Sequence, residues 1–183
     1  VTIENIHTVN FLTCATGSLQ LYNVTVKNII SYQAQPFILI SKPPLLAMEP
    51  NYISNTTFEN MLVKYVLFGI ETASITLDNV IFRNVSKNYQ PGAEMTSFDV
   101  PYHEKYNGLI FHMTADSDLI CQNCQLINIG SHAIVCTDSK LRIENSLFDN
   151  TNLVLPLLPE TYDELWGVTW IRIERASLNI AEG

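Results

Sequence analysis

The chain has 183 residues, enough for one domain with a sizeable core. Its formal net charge of -8, from 18 Asp and Glu against 10 Lys and Arg, provides no basic face for a nucleic-acid partner. The longest apolar candidate, 36–48, is broken by Lys42, Pro43 and Pro44, so no segment reaches the roughly 20 residues of a membrane-spanning helix.

In chain order, VTIENI (1–6) comes first, followed by SLQLYNVTVKNI (18–29), in which two asparagines sit five residues apart among alternating apolar residues. The looser PNYISNTTFENM (50–61) follows, then SITLDNVIFRNV (74–85), DLICQNCQLINI (118–129) and KLRIENSLFDNT (140–151). VTIENI matches the second half of this unit and the closing SLNI (177–180) the first half. Two asparagine columns emerge. One holds Asn23, Asn55, Asn79, Asn123 and Asn145, the other Asn5, Asn28, Asn60, Asn84, Asn128 and Asn150. Spacings in the second column are 23, 32, 24, 44 and 22, a base period of 22–24 with longer intervals at insertions.

Apolar columns run beside the asparagines: Leu19, Ile75, Leu119, Leu141 and Leu178; Leu21, Ile53, Leu77, Cys121, Ile143 and Ile180; and Ile3, Val26, Phe58, Phe82, Leu126 and Phe148. A third apolar segment precedes four of the units: FLTCATG, FGIETA, IVCTDS and WIRIERA. Each repeat therefore reads as three short strands with bends between them. Strands this short cannot bury an apolar face alone, whereas stacked repeats share a continuous core. Asparagine tolerates the left-handed backbone of a tight bend, and stacked asparagines can bond to one another above and below.

Asparagine columns, triplet strands and a 22-residue period resemble the right-handed parallel β-helix of the pectin lyase-like fold. The resemblance implies an all-β, right-handed, single-stranded parallel β-helix of about six coils of 22–24 residues, with asparagine ladders at the corners. Proteins of that fold include pectate lyases, polygalacturonases, phage tailspikes, autotransporter adhesins and large repeat proteins of cell surfaces. This chain looks most like the last group. Three stretches, 30–49, 86–108 and 152–167, leave the pattern and read as inserted loops, which often carry binding in repeat proteins. Within the second, SFDVPY loosely echoes SLQLYN, which leaves a disguised repeat open. Both ends of the chain fall within the pattern, so a segment of a longer solenoid is expected.

An enzyme of this fold needs clustered carboxylates, or acids that bind Ca²⁺ beside a cationic base. The best local set is Asp99, His103, Glu104, His112, Asp116 and Asp118, with His112, Asp116 and Asp118 as the candidate catalytic residues. The polygalacturonase-type signatures N-T-D, Asp-Asp, G-H-G and R-I-K are absent; Arg142-Ile143-Glu144 and Arg172-Ile173-Glu174 have the wrong third residue. Solvated surface acids are the better reading. In CQNC, Cys121 and Cys124 fall in apolar columns, as do Cys14 and Cys136, and all four read as small buried fillers; a Cys121–Cys124 disulfide across the corner is the alternative. Sequons stand at Asn23, Asn55 and Asn84, all within the columns, and an inward-facing column would leave them without glycan. Trp166 and Trp170 read as edge packing rather than sugar-stacking rings.

The expected function is non-enzymatic: a structural or adhesive segment of a cell-surface or extracellular assembly, filamentous or otherwise. A polysaccharide lyase or glycoside hydrolase is the first alternative, and a tailspike-type segment the second. Expected partners are further coils or other subunits at the open strand edges, and carbohydrate; no cofactor or metal is expected.

Overall fold

The protein is described by a computed structural model over residues 1–8, 11–15, 17–31, 35–41, 50–87, 110–130, 133–151 and 170–181. Among these residues all regular structure is strand. The chain makes successive passes. The first comprises β1 (Thr2–Glu4), β2 (His7–Thr8) and β3 (Leu12–Cys14), and the second β4 (Gln20–Tyr22), β5 (Thr25–Ser31) and β6 (Ile38–Ser41). The third has β7 (Asn51–Val63) and β8 (Phe68–Glu71), and the fourth β9 (Ser74–Lys87) and β10 (Phe111–Thr114). The fifth has β11 (Asp118–Gln122), β12 (Gln125–Ile129) and β13 (Ile134–Thr137). The sixth has β14 (Lys140–Glu144), β15 (Leu147–Asp149) and β16 (Ile171–Glu174), and β17 (Ser177–Ala181) follows it.

Each pass contributes to two parallel sheets. The first sheet runs β1-β5-β7-β9-β11-β14-β17, with β2, β4, β12 and β15 paired alongside; the second runs β3-β6-β8-β10-β13-β16. Registers match the sequence columns. Leu21 pairs with Ile53, Ile53 with Leu77, Leu77 with Cys121, Cys121 with Ile143, and Ile143 with Ile180. In the second sheet Cys14, Ile40, Ile70, Met113, Cys136 and Ile173 share one column.

The asparagines make this path possible. All of them except Asn150 in the two columns have φ between 47° and 59°. That left-handed backbone costs an ordinary residue about 1–2 kcal/mol per position. Side-chain ladders run across the passes. Asn28 Nδ2 donates to Asn5 Oδ1 (3.2 Å), Asn60 to Asn28 (3.4 Å), Asn84 to Asn60 (2.9 Å) and Asn128 to Asn84 (3.0 Å). At the other corner Asn79 donates to Asn55 (2.7 Å). Asn150 leaves the ladder and bonds the Ile129 peptide through both its oxygen and its nitrogen (2.7 and 3.0 Å). The buried Asn128 Oδ1 is consequently left without a donor.

A third corner carries no asparagine. Thr72, Asp116, Asp138 and Arg175 take positive φ there. Small residues follow them, Ala73, Ser117, Ser139 and Ala176, because the bend packs against the core. A further difference is the short leg after the second asparagine, Ile29–Ser31 in β5 and Met61–Val63 in β7, which adds a fourth straight segment to the three read from the sequence.

Parts of two of the three stretches that leave the pattern are described. Within 30–49, the end of β5 and all of β6 are strand, and Phe37 is fully buried; FILI fills the second-sheet position of its pass. Residues 32–34 and 42–49 lie outside the described residues. In the stretch 86–108, residues 86 and 87 end β9, which pairs directly with β11 and β12. Its residues 88–108, and all of 152–167, lie outside the described residues.

Between the sheets the core is aromatic at its centre. Phe58 stacks on Phe82 (5.2 Å, 8°) and Phe68 on Phe111 (5.2 Å, 26°), and the two stacks meet edge to face. Leu126 separates Phe82 from Phe148, whose ring instead meets Trp170 edge to face at 5.3 Å. One polar residue enters an apolar column: Asn51, 5% exposed, accepts from Leu19 N–H and donates to Ser74 C=O, both at 2.8 Å, so it joins three passes.

Two substitutions separate backbone from ladder. Asn60→Ala loses both the left-handed preference and two amide bonds, and is expected to cost about 2–3 kcal/mol. Asn60→Gly keeps the backbone freedom and should cost at least about 1 kcal/mol less. Equal losses in chemical denaturation would mean the backbone conformation is not what asparagine supplies. Phe82→Ala, in the middle of the stack, should cost about 3–5 kcal/mol by the same measurement.

Candidate functional site

Among the described residues, a polar strip lies on the solvent side of the first sheet, beside the first asparagine corner. Alternation along β4, β7, β9, β11 and β14 turns Leu21, Ile53, Leu77, Cys121 and Ile143 towards the core. The residues between them form two outward columns. One holds Gln20, Tyr52, Thr76, Ile120 and Arg142; the other holds Tyr22, Ser54, Asp78, Gln122 and Glu144. Tyr22 is 51% exposed, and its ring meets that of Tyr52 at 5.8 Å.

The charged groups of this strip are engaged by neighbours. Asp78 accepts from Asn123 Nδ2 at 2.9 Å on one oxygen and from Tyr52 Oη at 3.3 Å on the other. Burial, and then the Asp78 carboxylate, push the Tyr52 phenol above its ordinary value. Glu144 accepts from Gln122 Nε2 at 2.7 Å and pairs with Arg142. The Gln122 amide, and then Arg142, hold the Glu144 carboxyl below the usual range. Asp149 is likewise lowered by the Thr151 backbone N–H and hydroxyl, both at 2.8 Å. A general acid needs a carboxyl raised towards the working pH. Glu144 and Asp149 are shifted the other way.

The candidate catalytic residues are placed on either side of the third corner. His112 lies in β10 of the second sheet, between Gly69 and Val135, with the Tyr65 ring 6.3 Å from its own. Asp116 is exposed on the left-handed corner itself, where its N–H donates to Asp138 C=O. Asp118 begins β11 of the first sheet, between Ser74 and Lys140. His112 and Asp118 therefore belong to different sheets. Asp99, His103, Glu104 and Trp166 lie outside the described residues. Among the described residues no cluster of three His, Cys, Asp or Glu side chains could hold a metal ion.

The four cysteines are free thiols, with Cys121, Cys124 and Cys136 buried and Cys14 half-buried. A hydrogen bond with Cys124, and then burial, push the Cys121 thiol well above its ordinary value. Burial pushes Cys136 up to about 12, and its Sγ lies 3.4 Å from Met113 Sδ. Cys121, Cys124 and Cys136 are fully buried in the apolar core, where they act as packing groups. The sequon asparagines differ among themselves. All three are exposed, Asn23 and Asn55 at the first corner and Asn84 as an interior rung of the second-corner ladder. Sequence reasoning missed the Tyr52–Asp78–Asn123 network, because its members come from three different units and meet only through register.

No protein family, curated protein or solved structure matches the chain.

Two measurements check these assignments. In the folded protein at neutral pH, iodoacetamide should leave Cys121, Cys124 and Cys136 unlabelled for hours, and denaturant should expose all four thiols. Rapid labelling of Cys136 would contradict its burial. For acid stability, the folded-state values of Glu144 and Asp149 are depressed, so their contribution is present above the ordinary carboxylate range. It is lost as pH falls through that range to the lower folded values. Glu144→Gln should therefore flatten the acid limb of the stability profile; an unchanged slope would remove Glu144 from that limb.

Proposed function

We propose that the chain is a segment of a right-handed parallel β-helix of the pectin lyase-like kind, serving as a non-enzymatic structural or adhesive element of a cell-surface or extracellular assembly. One observation carries this reading: side chains at the first two corners and on the outward strip bond mainly to neighbours one or two passes away, as in Asn84 to Asn60, Asn123 to Asp78 and Gln122 to Glu144. Polar groups used this way stiffen a stack and are not poised for proton transfer. Parallel pairing, the two sheets and the asparagine ladders support the fold assignment. Leu178 and Ile180 on β17 are 40% and 63% exposed, a surface suited to a further coil or another subunit.

The reading is tested in two ways. Protease shaving of intact cells of the source organism should release peptides of this chain, and recovery only after lysis would sink the surface location. Incubation with acidic and neutral plant and bacterial polysaccharides should produce no new reducing ends and no unsaturated products. Turnover abolished by His112→Ala or Asp118→Ala would replace the structural reading with the lyase or hydrolase one.

A further inference from the structure

The three sequons are chemically alike in sequence, but the ladders make them unequal. N-linked glycosylation substitutes Nδ2 of asparagine, so it removes one of its two hydrogens and places a sugar against that side of the amide. Asn84 already uses Nδ2 to donate to Asn60 Oδ1 at 2.9 Å, and its Oδ1 accepts from Asn128 at 3.0 Å. It is an interior rung of the run Asn5–Asn28–Asn60–Asn84–Asn128, with an asparagine one pass away on either side. A sugar on Asn84 would replace a hydrogen of the nitrogen that holds this rung and would crowd the amides of its neighbours, about 4.8 Å away on either side.

The first corner is different. Among the described residues, Asn55 accepts from Asn79 through Oδ1 while its Nδ2 has no acceptor, and the Asn23 side chain makes no hydrogen bond. Both are exposed with left-handed backbone, φ 55° and 47°, as is Asn84 at 53°, so the difference lies in the engagement of Nδ2 and not in exposure. Thr25 and Thr57, the hydroxyl positions of the two sequons, are register partners on adjacent strands. Tyr22, exposed and directly before Asn23, sets an aromatic ring in the same corner.

We infer that the first corner is an N-glycan acceptor site, at Asn23 and Asn55, and that the second-corner ladder closes Asn84 to the same modification in the folded protein. The inference rests on the extracellular reading for its setting, and adds which edge of the stack bears sugar. That edge lies beside the Tyr22–Tyr52 strip, so the glycan would cover this strip and leave the second corner bare.

The test is glycopeptide mapping of the chain secreted from a eukaryotic host, using the protease-resistant pool. Sugar at Asn23, at Asn55 or at both, with Asn84 unmodified, is the expected result. Thr25→Ala with Thr57→Ala deletes both first-corner sequons while keeping the corner asparagines, and should remove all N-glycan; Ser86→Ala should change nothing. Sugar on Asn84 in the folded pool, or three bare sequons, would overturn the inference. The host supplies the glycosylation machinery whatever the native location. The site can therefore fail while surface shaving succeeds, and the reverse.

Discussion

The rest of the structure depends on one backbone conformation repeated at a fixed height. A strand that bends twice within thirteen residues, as β7 does at Asn55 and Asn60, needs a left-handed residue at each bend. Glycine would fit but would leave the asparagine side chains of neighbouring passes without their amide partner. Asparagine supplies the backbone freedom and an amide that both donates and accepts. Because successive passes are about one strand spacing apart, each amide meets the one above and the one below. Where the rung is lost, at Asn150, the side chain turns to the Ile129 peptide and Asn128 Oδ1 has no donor. The corner is thus cooperative between passes, not a property of one turn.

Fixing the corners fixes the register, and the register builds the core. Phe58 lies over Phe82 because Asn60 lies over Asn84, and the same constraint brings Phe68 over Phe111. Both sheets donate aromatic rings to one meeting point, so the core closes by edge-to-face contacts between stacks. Outside, the same register assembles Tyr52, Asp78 and Asn123 from three passes into one network. Core and surface follow from one alignment of strands.

This explains what could be read from the sequence. Columns of Asn23-type and Asn28-type residues, and the apolar residues between them, were legible because the physical demand at each level is the same and one residue type meets it best. The third corner was not, because Thr72, Asp116, Asp138 and Arg175 adopt the same backbone with three different side-chain types. The β6 strand was hidden by prolines on both sides, although Phe37 and Ile38 fill the same core as their neighbours. Asn51 could not be anticipated either, since an apolar column gives no signal that one member will bridge two peptides. For the site, the separate residues were visible but not their meetings, and His112 and Asp118, six residues apart, fall on different sheets.

The stacking direction also sets how the molecule bears load. Hydrogen bonds between passes point along the stack, and contacts join each pass chiefly to its immediate neighbours. A pull between the two ends would therefore peel passes singly from an edge and release about 75 Å of slack for each 22 residues unravelled. Compression would meet the whole column of rings and amide rungs at once. Such an element yields gradually under tension and resists crushing, with the asparagine rungs acting as its individual stops.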